Sequence, residues 1–584
     1  MGTARSAPPW RVRLPERAAP FVGAAMVGLG VALLARANAS VAVVVLLVAA
    51  GLVLAGIARL VRAAHDTGTA AQPSQRRIQV ASGLVLVAAG VLAVAWSSAT
   101  VRVLVLLLAL GLAAAGVAEL TGSRRDDRAT AVPLGLASLA LAAVVLVWPR
   151  LSLWAVGVAF GAWLVLTGLH AVLGAVLRRA PRRRRPRRWV QLAGAAVALV
   201  VSLGLLAGSV AVHRGDVRVA PDGFYTPPLS VPDEAGALLR SEPLTTGVPD
   251  GARAWRILFT TTDGDGHPAI SSGTVLAPEV PGDTAAPVIA VAHGTTGVTP
   301  RCAPSMSERP FADGAGTALE RMVADGWVGI VPDYVGLGTA GPHPYLVGPD
   351  TAHAVLDGVR AARRLDLDLT DDVVVWGHSQ GGHAALWTGM VAEDYAPDVP
   401  LLGVAALAPA TDLEALAEGV RSEAIGKLVS AYIAASWAEV YPSLELREIV
   451  TPGYLPLVRR IEDLCFTGRD VVAALATASQ MTDEVIREGT FDGEVGELLR
   501  ANSPDGDVPV PVLLAQGTTD PLILPGQQRA FVAARCAAGQ PLDYREYDGL
   551  DHLTLVAAES PLTEELMAWT EARRAGEPAA STCP

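Results

Sequence analysis

Seven long apolar runs in the first 213 residues constrain the fold of this chain more than any other feature. Each has about 17 or more residues, enough for a helix to cross the ~30 Å hydrocarbon core of a bilayer. Hydrocarbon offers no hydrogen-bond partner to a peptide group, so such a run must satisfy its own backbone as a helix. We therefore predict seven transmembrane helices, at about residues 18–35, 40–58, 80–96, 101–118, 131–147, 151–177 and 189–212.

Arginine is concentrated in alternate connections between these runs. Several arginines lie in the segment before the first run and in the connections after the second and fourth runs. The largest number lies in residues 178–188, after the sixth run. Positively charged loops stay on the cytoplasmic side of a membrane. The N-terminal segment 1–17 and the loop 178–188 are therefore predicted to be cytoplasmic. An odd, seventh helix then places residues 214–584 outside the cell membrane of a multi-pass protein.

The formal charge divides at the same point. The first 213 residues hold 22 arginines and 5 acidic residues, a net charge of +17, and the remainder has 24 basic and 52 acidic residues, a net charge of −28. A basic region can indicate nucleic-acid binding. Here the arginines flank apolar runs, which membrane topology explains, so we predict no nucleic-acid partner.

The apolar region contains an internal repeat. The run GLVLAGIARL at 51–60 matches GLAAAGVAEL at 111–120, an offset of 60 residues, and a weaker echo lies at 167–170. The first six runs thus form three predicted helical hairpins. With WPRLSL at 148–153 at a hairpin tip, this pattern resembles the HdeD-like family of six-span membrane proteins over about residues 21–177.

That resemblance implies a six-span membrane domain at 18–177, followed by a separate seventh helix at 189–212. His170 is the ionisable side chain that lies well inside one of the runs. An intramembrane histidine can be functional, but pairing between helices is the commoner reason for one. We therefore predict that the membrane domain serves as an anchor.

From about residue 214 short apolar runs alternate with amphipathic stretches. The runs 287–292, 327–331, 372–377 and 510–517 have the length of buried strands, whereas 352–364 has the period of a helix. Strands that alternate with helices indicate a mainly parallel sheet. In such a sheet the chemistry lies at the carboxyl ends of the strands.

The motif GHSQG at 377–381 follows the third of these strands directly and gives the candidate nucleophile, Ser379. Glycine at both ends of the motif permits a tight turn from strand to helix. The hydroxyl would then lie at the N-terminus of the next helix, where the helix dipole favours developing negative charge. The same pattern arises by chance, but the apolar strand before it favours a catalytic serine over a turn serine.

A serine hydroxyl needs a general base, and His552 is the predicted one. It follows the strand-like run 542–547, and the chain order of serine, acid and histidine is that of α/β-hydrolases. His293 is interpreted as structural, and His378 and His383 as pointing away from the site. The other histidines precede the nucleophile or lie in the membrane region: His65, His170, His213, His267, His343 and His353.

The triad acid should follow the strand before the last. Asp520 lies there, in the run QGTTDP at 516–521, and would hold the imidazole tautomer and stabilise the imidazolium. Asp548 and Asp551 are rivals, but each is close to His552 in the chain.

An ester hydrolase of this kind also needs an oxyanion hole built from two N–H groups. One is predicted from the backbone of Gln380, the residue after the nucleophile. The other should come from HGTTG at 293–297, with Thr295 as the predicted donor and Gly294 as the alternative.

The four cysteines all lie after residue 213, and their spacing does not match a zinc site. An even number confined to one region favours two disulfides and an oxidising compartment over free buried thiols. This agrees with the topology predicted from arginine. The cysteines are Cys302, Cys465, Cys536 and Cys583.

The C-terminal region resembles the secretory lipase family of the lipase A type from about residue 217 onward. The motifs that carry the resemblance are GFYTPP at 223–228, HGTTG at 293–297, CAPS at 302–305, PDYVGLG at 332–338, HPYL at 343–346 and the GHSQG motif. It implies an α/β-hydrolase fold with a helical cap at about 412–502. The family members are usually secreted free, so the membrane region departs from the pattern.

The same resemblance implies particular roles and pairings. Cys302 would pair with Cys465, and Cys536 with Cys583. Asp333 and Tyr334 in the PDYVGLG motif would shape the loop beside the site. Fatty-acid esters would be the substrates.

The predicted fold class is an α-helical membrane domain followed by an α/β-hydrolase domain with a cap. The predicted function is a membrane-anchored serine hydrolase of lipophilic esters that needs no cofactor and no metal. Three alternatives stay open: an envelope acyltransferase with the same triad, an esterase for smaller esters, and a membrane sensor with a vestigial hydrolase domain.

Overall fold

The computed structural model describes two compact units, which comprise residues 1–213 and 214–584. Within the first unit, only isolated positions are described before residue 97 and between 148 and 188. The continuously described ranges are 97–122, 128–148, 188–216, 219–312, 314–487 and 489–583, and the statements below refer to these residues.

Three helices are described in the N-terminal unit: α1 (Ser97–Gly122), α2 (Arg128–Val147) and α3 (Arg188–Arg214). They lie at the predicted fourth, fifth and seventh transmembrane helices. By length and composition, α2 and the Trp189–Val212 part of α3 could each cross a membrane. The predicted first, second, third and sixth helices lie outside the described residues, apart from isolated helical positions.

Glycine allows α1 and α2 to pack closely. A β-carbon at Gly116 would lie 2.8 Å from the carbonyl oxygen of Gly135, and one at Gly135 would lie 2.9 Å from that of Gly116. Helices in an apolar region gain no hydrophobic energy from each other, so they associate through close van der Waals contact at small residues. At the end of α2, the indole N–H of Trp148 donates to the hydroxyl of Ser209 in α3.

The C-terminal unit is built on one nine-stranded sheet in the order β1-β2-β3-β5-β4-β6-β7-β8-β9. The first three strands form an antiparallel meander, and β3 pairs antiparallel with β5. From β5 to β9 every pairing is parallel. The strands are β1 (Leu238–Leu244), β2 (Ala252–Thr262), β3 (Pro268–Pro278), β4 (Ala286–Ala292), β5 (Val328–Pro332), β6 (Leu369–His378), β7 (Leu401–Leu407), β8 (Val512–Gly517) and β9 (Asp543–Tyr547).

The five strands predicted from apolar runs are present as β4, β5, β6, β8 and β9. The sequence interpretation did not identify β1, β2, β3 or β7. The strand β2 mixes arginine and threonine with apolar residues, and it is also partly exposed, so it lacks a continuous apolar signal. The run LLGVAAL of β7 is short and apolar, and a run of this kind fits a strand or a buried helix equally well.

Helices cover both faces of the sheet, which explains why its central strands are apolar along their whole length. Along β6, Val373 and Val375 face one layer of the core, and Val374 and Trp376 face the other. The first layer contains α5 (Gly348–Ala362) and α6 (Gln380–Tyr395). The second contains α4 (Gly316–Ala324) and α14 (Pro561–Arg574). Burial of each large apolar side chain stabilises the folded state by roughly 1.5–3 kcal/mol relative to leaving it exposed.

The connection between β7 and β8, where the sequence analysis places a cap at 412–502, is long and mostly helical. One isolated pair of residues, Val450 and Ile486, forms a β-bridge within it. Its helices are α7 (Leu413–Gly419), α8 (Ala424–Val440), α9 (Leu446–Ile449), α10 (Leu455–Glu462), α11 (Gly468–Ala478) and α12 (Glu494–Ala501). After β8, α13 (Pro525–Ala537) packs beside the sheet.

Candidate active site

Ser379 lies on a sharp turn between β6 and α6. Its backbone has φ 60° and ψ −120°, a left-handed conformation that non-glycine residues rarely adopt. A β-carbon at Gly377 would lie 1.9 Å from the carbonyl oxygen of Gly381, and one at Gly381 would lie 2.0 Å from that of Ala292. Backbone occupies the space that any side chain would need, so both positions require glycine.

The three predicted catalytic residues form one hydrogen-bonded chain. His552 Nε2 lies 2.9 Å from Ser379 Oγ, and His552 Nδ1 lies 2.7 Å from Asp520 Oδ2. Asp520 and the imidazole of His552 are buried, whereas Ser379 is half-buried. The three residues follow β8, β9 and β6, so they meet at the carboxyl edge of the parallel part of the sheet.

The carboxylate of Asp520 is held by further donors. Its Oδ1 accepts the backbone N–H groups of Leu522 and Ile523 at 2.8 and 2.9 Å. Its Oδ2 accepts from Gln516 Nε2 at 3.2 Å as well as from His552. These bonds stabilise the charged carboxylate and direct Oδ2 at the imidazole, the arrangement that a triad acid needs.

The sequence interpretation assigned no role to Gln516. Its side chain is fully buried in β8, and its amide nitrogen also faces the carbonyl oxygens of Gly517 and Ile523. The signal in the sequence that could have identified Gln516 is a polar side chain in the otherwise apolar run VLLAQG of β8.

The rival acids have other partners. Asp548 accepts the hydroxyl of Thr518, and Asp551 accepts backbone N–H groups of its own loop. Because Nδ1 of His552 is hydrogen-bonded to Asp520, the geometry favours Asp520 as the triad acid.

The two predicted oxyanion segments lie next to the nucleophile. Gln380 is the first residue of α6, where backbone N–H groups have no acceptor within the helix. A β-carbon at Gly294 would lie 4.0 Å from Ser379 Cβ, which places the HGTTG loop beside the serine. The choice of Thr295 over Gly294 as the second donor stays a prediction.

Contacts from the cap side hold the HGTTG loop. The hydroxyl of Thr295 is bonded to Tyr345 Oη at 2.8 Å, and the backbone N–H of Phe466 donates to the carbonyl of Thr296 at 2.7 Å. Gly297 has φ 135° and packs against Cys302 so closely that a β-carbon would lie 2.6 Å from its sulfur. The loop is therefore well supported where an oxyanion would bind.

Both disulfides that the resemblance implied are present. Cys302 is bonded to Cys465, and Cys536 to Cys583. The first joins the loop after β4 to the cap, and the second joins the end of α13 to the C-terminal segment. This is consistent with an oxidising compartment.

Asp333 and Tyr334 shape the loop beside the site. Asp333 is fully buried, and it accepts the hydroxyls of Ser272 and Ser305 at 2.5 Å each. Burial raises the pKa of Asp333 to about 6, although these hydrogen bonds act in the opposite direction. The phenol of Tyr334 donates to the carbonyl of His293, and the two rings stack 4.2 Å apart. Burial lowers the pKa of His293 to about 4. His293 thus has the structural position that the sequence predicted.

The position of His378 differs from the sequence interpretation. It was expected to point away from the site, but its Nε2 donates to the backbone carbonyl of His552 at 2.9 Å. Helix geometry was the wrong guide because His378 is the last residue of β6, before the helix begins. His383, inside α6, does point elsewhere and donates from Nε2 to the carbonyl of Asn502 at 2.7 Å. His65 and His170 lie outside the described residues.

Among the residues that the structure describes, no group of three or more histidine, cysteine, aspartate or glutamate side chains is arranged to bind a metal ion.

The C-terminal unit has the architecture of an α/β-hydrolase. It has the mainly parallel sheet, the strained turn at Ser379 and the hydrogen-bonded chain of Ser379, His552 and Asp520. Residues 315–582 match the family described as secretory lipase, which confirms the resemblance seen in the sequence motifs. Residues 21–75, 81–132 and 133–207 match a short repeat of unknown function, DUF308, which is the HdeD-like membrane family. Three copies agree with the internal repeat.

Individual relatives support the same assignment. The chain is 27% identical over 377 residues to a probable inactive lipase of Mycobacterium tuberculosis, a match that covers 61% of this chain and 82% of the relative. It is 27% identical over 343 residues to a secreted triacylglycerol lipase of Malassezia globosa, covering 54% and 73%. Lipase A of Candida antarctica in its closed state shares the fold, with 16% identity, a TM-score of 0.53, and coverage of 62% of this chain and 87% of that chain.

Proposed function

We propose that the C-terminal unit is a serine ester hydrolase that cleaves fatty-acyl or other lipophilic esters. One observation carries the proposal: the bonded chain from Ser379 through His552 to Asp520, with distances of 2.9 and 2.7 Å. Such an arrangement activates a hydroxyl that is otherwise a weak nucleophile. The match to the secretory lipase family and the triacylglycerol lipase among the relatives support the same reaction class.

In the proposed mechanism, His552 Nε2 takes the proton of Ser379 as the oxygen attacks the ester carbonyl. The new C–O bond pushes an electron pair onto the carbonyl oxygen, which the N–H groups of Gln380 and Thr295 stabilise. The oxyanion then returns its electron pair to re-form the carbonyl, the bond from the carbonyl carbon to the alcohol oxygen breaks, and the imidazolium gives its proton to that oxygen. A water molecule attacks the acyl-enzyme with His552 again as base. The bond from the acyl carbon to Ser379 Oγ then breaks, His552 returns the proton to Oγ, and the carboxylic acid is released.

One relative is named a probable inactive lipase, so activity must be tested directly. The hydrogen-bonded Ser379, His552 and Asp520 of this chain favour an active enzyme over a vestigial domain. The triacylglycerol lipase among the relatives supports a fatty-acyl ester as the substrate class.

We further propose that the hydrolase is held at the outer face of the cell membrane, with the N-terminus in the cytoplasm. The arginine-rich connections, the DUF308 repeats and the two disulfides support this placement. Protease added to intact cells should digest the C-terminal unit and spare an N-terminal tag. Protection of the C-terminal unit would contradict the orientation.

The test of activity is labelling by a fluorophosphonate, which reacts with activated serines. The purified full chain should label, Ser379→Ala should not, and Ser443→Ala, a change at an exposed serine, should label like wild type. A series of p-nitrophenyl esters of increasing chain length then distinguishes a lipase from an esterase for small esters. Absence of labelling in the folded wild type would rule out the proposed function.

A further inference from the structure

His378 is buried beside the general base and precedes the nucleophile in the chain, although it takes no part in the proposed mechanism. Its side chain is 7% exposed, and its ring centroid lies 4.6 Å from that of His552, with the two planes tilted by 41°. As the residue before Ser379, it shares the backbone of the strained turn. It therefore touches two of the three parts of the catalytic chain.

The hydrogen bond between the two histidines has a defined direction. The backbone carbonyl of His552 can only accept, so His378 must carry its proton on Nε2 to make the 2.9 Å contact. Burial, with a further contribution from His552, lowers the pKa of His378 to about 3. The ring is thus a neutral donor with its proton on Nε2 near neutral pH.

The bond from His378 holds the main chain of His552, whose side chain is the proposed general base. His552 lies in a loop after β9, next to Leu553, which is 68% exposed. The imidazole is directed by Asp520 at Nδ1, but the position of its α-carbon depends on what holds the loop. His378 supplies a contact at His552 itself, from the rigid end of β6.

We propose that His378 is a positioning residue, which holds the backbone of His552 so that Nε2 stays within hydrogen-bond distance of Ser379. The inference rests on the proposed hydrolase function. It also explains why an uncharged donor suits this place. The His552 imidazolium that forms during the reaction would be repelled by a cation 4.6 Å from its ring.

The test compares His378→Leu with His378→Gln and His378→Asn in the purified full chain. Leucine removes the donor, glutamine offers an amide N–H close to the original Nε2, and asparagine has the same amide on a shorter side chain. Because His378 is buried and its hydrogen bond goes to the backbone of the general base, its loss should lower kcat and leave KM within about twofold.

The matched control is His383. It is also buried, its Nε2 also donates to a backbone carbonyl, and burial lowers its pKa to about 4. Its acceptor is Asn502, in the connection after α12. His383→Leu should reduce stability as His378→Leu does, but should leave kcat per folded molecule unchanged.

We expect kcat to fall on the order of 100-fold in His378→Leu, since a displacement of about 1 Å at a reacting group has that effect. His378→Asn should fall similarly, whereas His378→Gln should recover most of the loss. The rate of fluorophosphonate labelling should follow kcat, because it needs the same base. Active-site titration corrects each rate for the folded fraction.

Two results would overturn the inference. The first is a kcat of His378→Leu equal to that of wild type. The second is an equal loss of kcat in His378→Gln and His378→Leu, which would mean that the ring only fills space. If His378→Leu does not fold, the contrast between glutamine and asparagine decides instead. A wild type that neither labels nor hydrolyses esters would refute the proposed function, which is a distinct outcome.

Discussion

The two units of this chain have different interiors. Among the described residues of the N-terminal unit, the buried polar side chains are Ser202 and Ser209, and α1 packs on α2 through glycine. The C-terminal unit buries charged groups, including Asp333, Asp357 and Asp520, and surrounds them with donors. An apolar helix needs only contact, whereas a buried carboxylate needs partners at fixed places.

This difference predicts where substitutions matter. In the C-terminal unit the loss of a hydrogen bond to a catalytic residue should change the reaction, and in the N-terminal unit a lost contact should leave it intact. Four sets of substitutions test that contrast, in order of decreasing expected effect.

The largest effect should come from Asp520→Asn. The amide keeps the size of the side chain but favours the wrong imidazole tautomer, so kcat should fall on the order of 10⁴-fold. Ester hydrolysis at saturating substrate measures it. Asp548→Asn, at the rival acid whose partner is Thr518, is the control and should retain activity. If Asp548→Asn is the inactive variant instead, the assignment of the acid is wrong.

The second prediction concerns the free energy of unfolding when each disulfide is removed. Each is removed in a separate variant by changing both of its cysteines to alanine. The Cys302–Cys465 bond closes 163 residues and Cys536–Cys583 closes 47. Each should contribute about 2–5 kcal/mol, and the longer loop about 1 kcal/mol more, because it restricts the unfolded chain further. Urea unfolding measures both.

Only the first disulfide packs against Gly297 of the HGTTG loop. Its removal should therefore also lower kcat, whereas removal of Cys536–Cys583 should not. Equal kcat in the two variants would show that the loop keeps its geometry without the bond.

The third effect is on pH dependence. The folded-state pKa of His383 is about 4, below its ordinary value of 6.5, because burial disfavours the charged ring. Below pH 6.5 the unfolded chain therefore binds a proton that the folded chain does not. The stability contributed by the neutral ring is complete above pH 6.5 and is lost as the pH falls toward 4, by about 1.4 kcal/mol per pH unit.

His383→Gln keeps a donor for Asn502 but does not titrate. Its free energy of unfolding should thus fall less steeply between pH 6.5 and 5 than that of wild type, as measured by urea unfolding with near-ultraviolet circular dichroism. Parallel slopes in the two proteins would mean that His383 is protonated in the folded state.

The smallest effect on catalysis should come from Gly116→Ala. The new methyl group would lie 2.8 Å from the carbonyl of Gly135 and 2.9 Å from Leu139 Cγ, so α1 and α2 must separate slightly. We expect a lower thermal midpoint in detergent and an unchanged kcat. A fall in kcat would show that the helices influence the site and would break the contrast between the units.

Much of the candidate site could be predicted from the sequence. Ser379, Asp520 and His552 were identified because chemistry demands those residue types, and their order and flanking strands are local features. The same holds for the apolar runs, since hydropathy is a property of consecutive residues. The disulfide pairing came from the resemblance to a family, because spacing alone leaves pairings open.

Other features depended on the tertiary structure. The partners in the bond from His378 to His552 are 174 residues apart, and only the placement of β6 near the loop after β9 brings them together. The strand β1 is partly exposed at the edge of the sheet, and β2 and β3 mix polar with apolar residues, so their hydropathy pattern is weak. The sequence by itself determined which side chains can react and which segments are apolar. Tertiary structure decided which buried groups hold the reacting ones, because a hydrogen bond depends on distance in space and not on position in the chain.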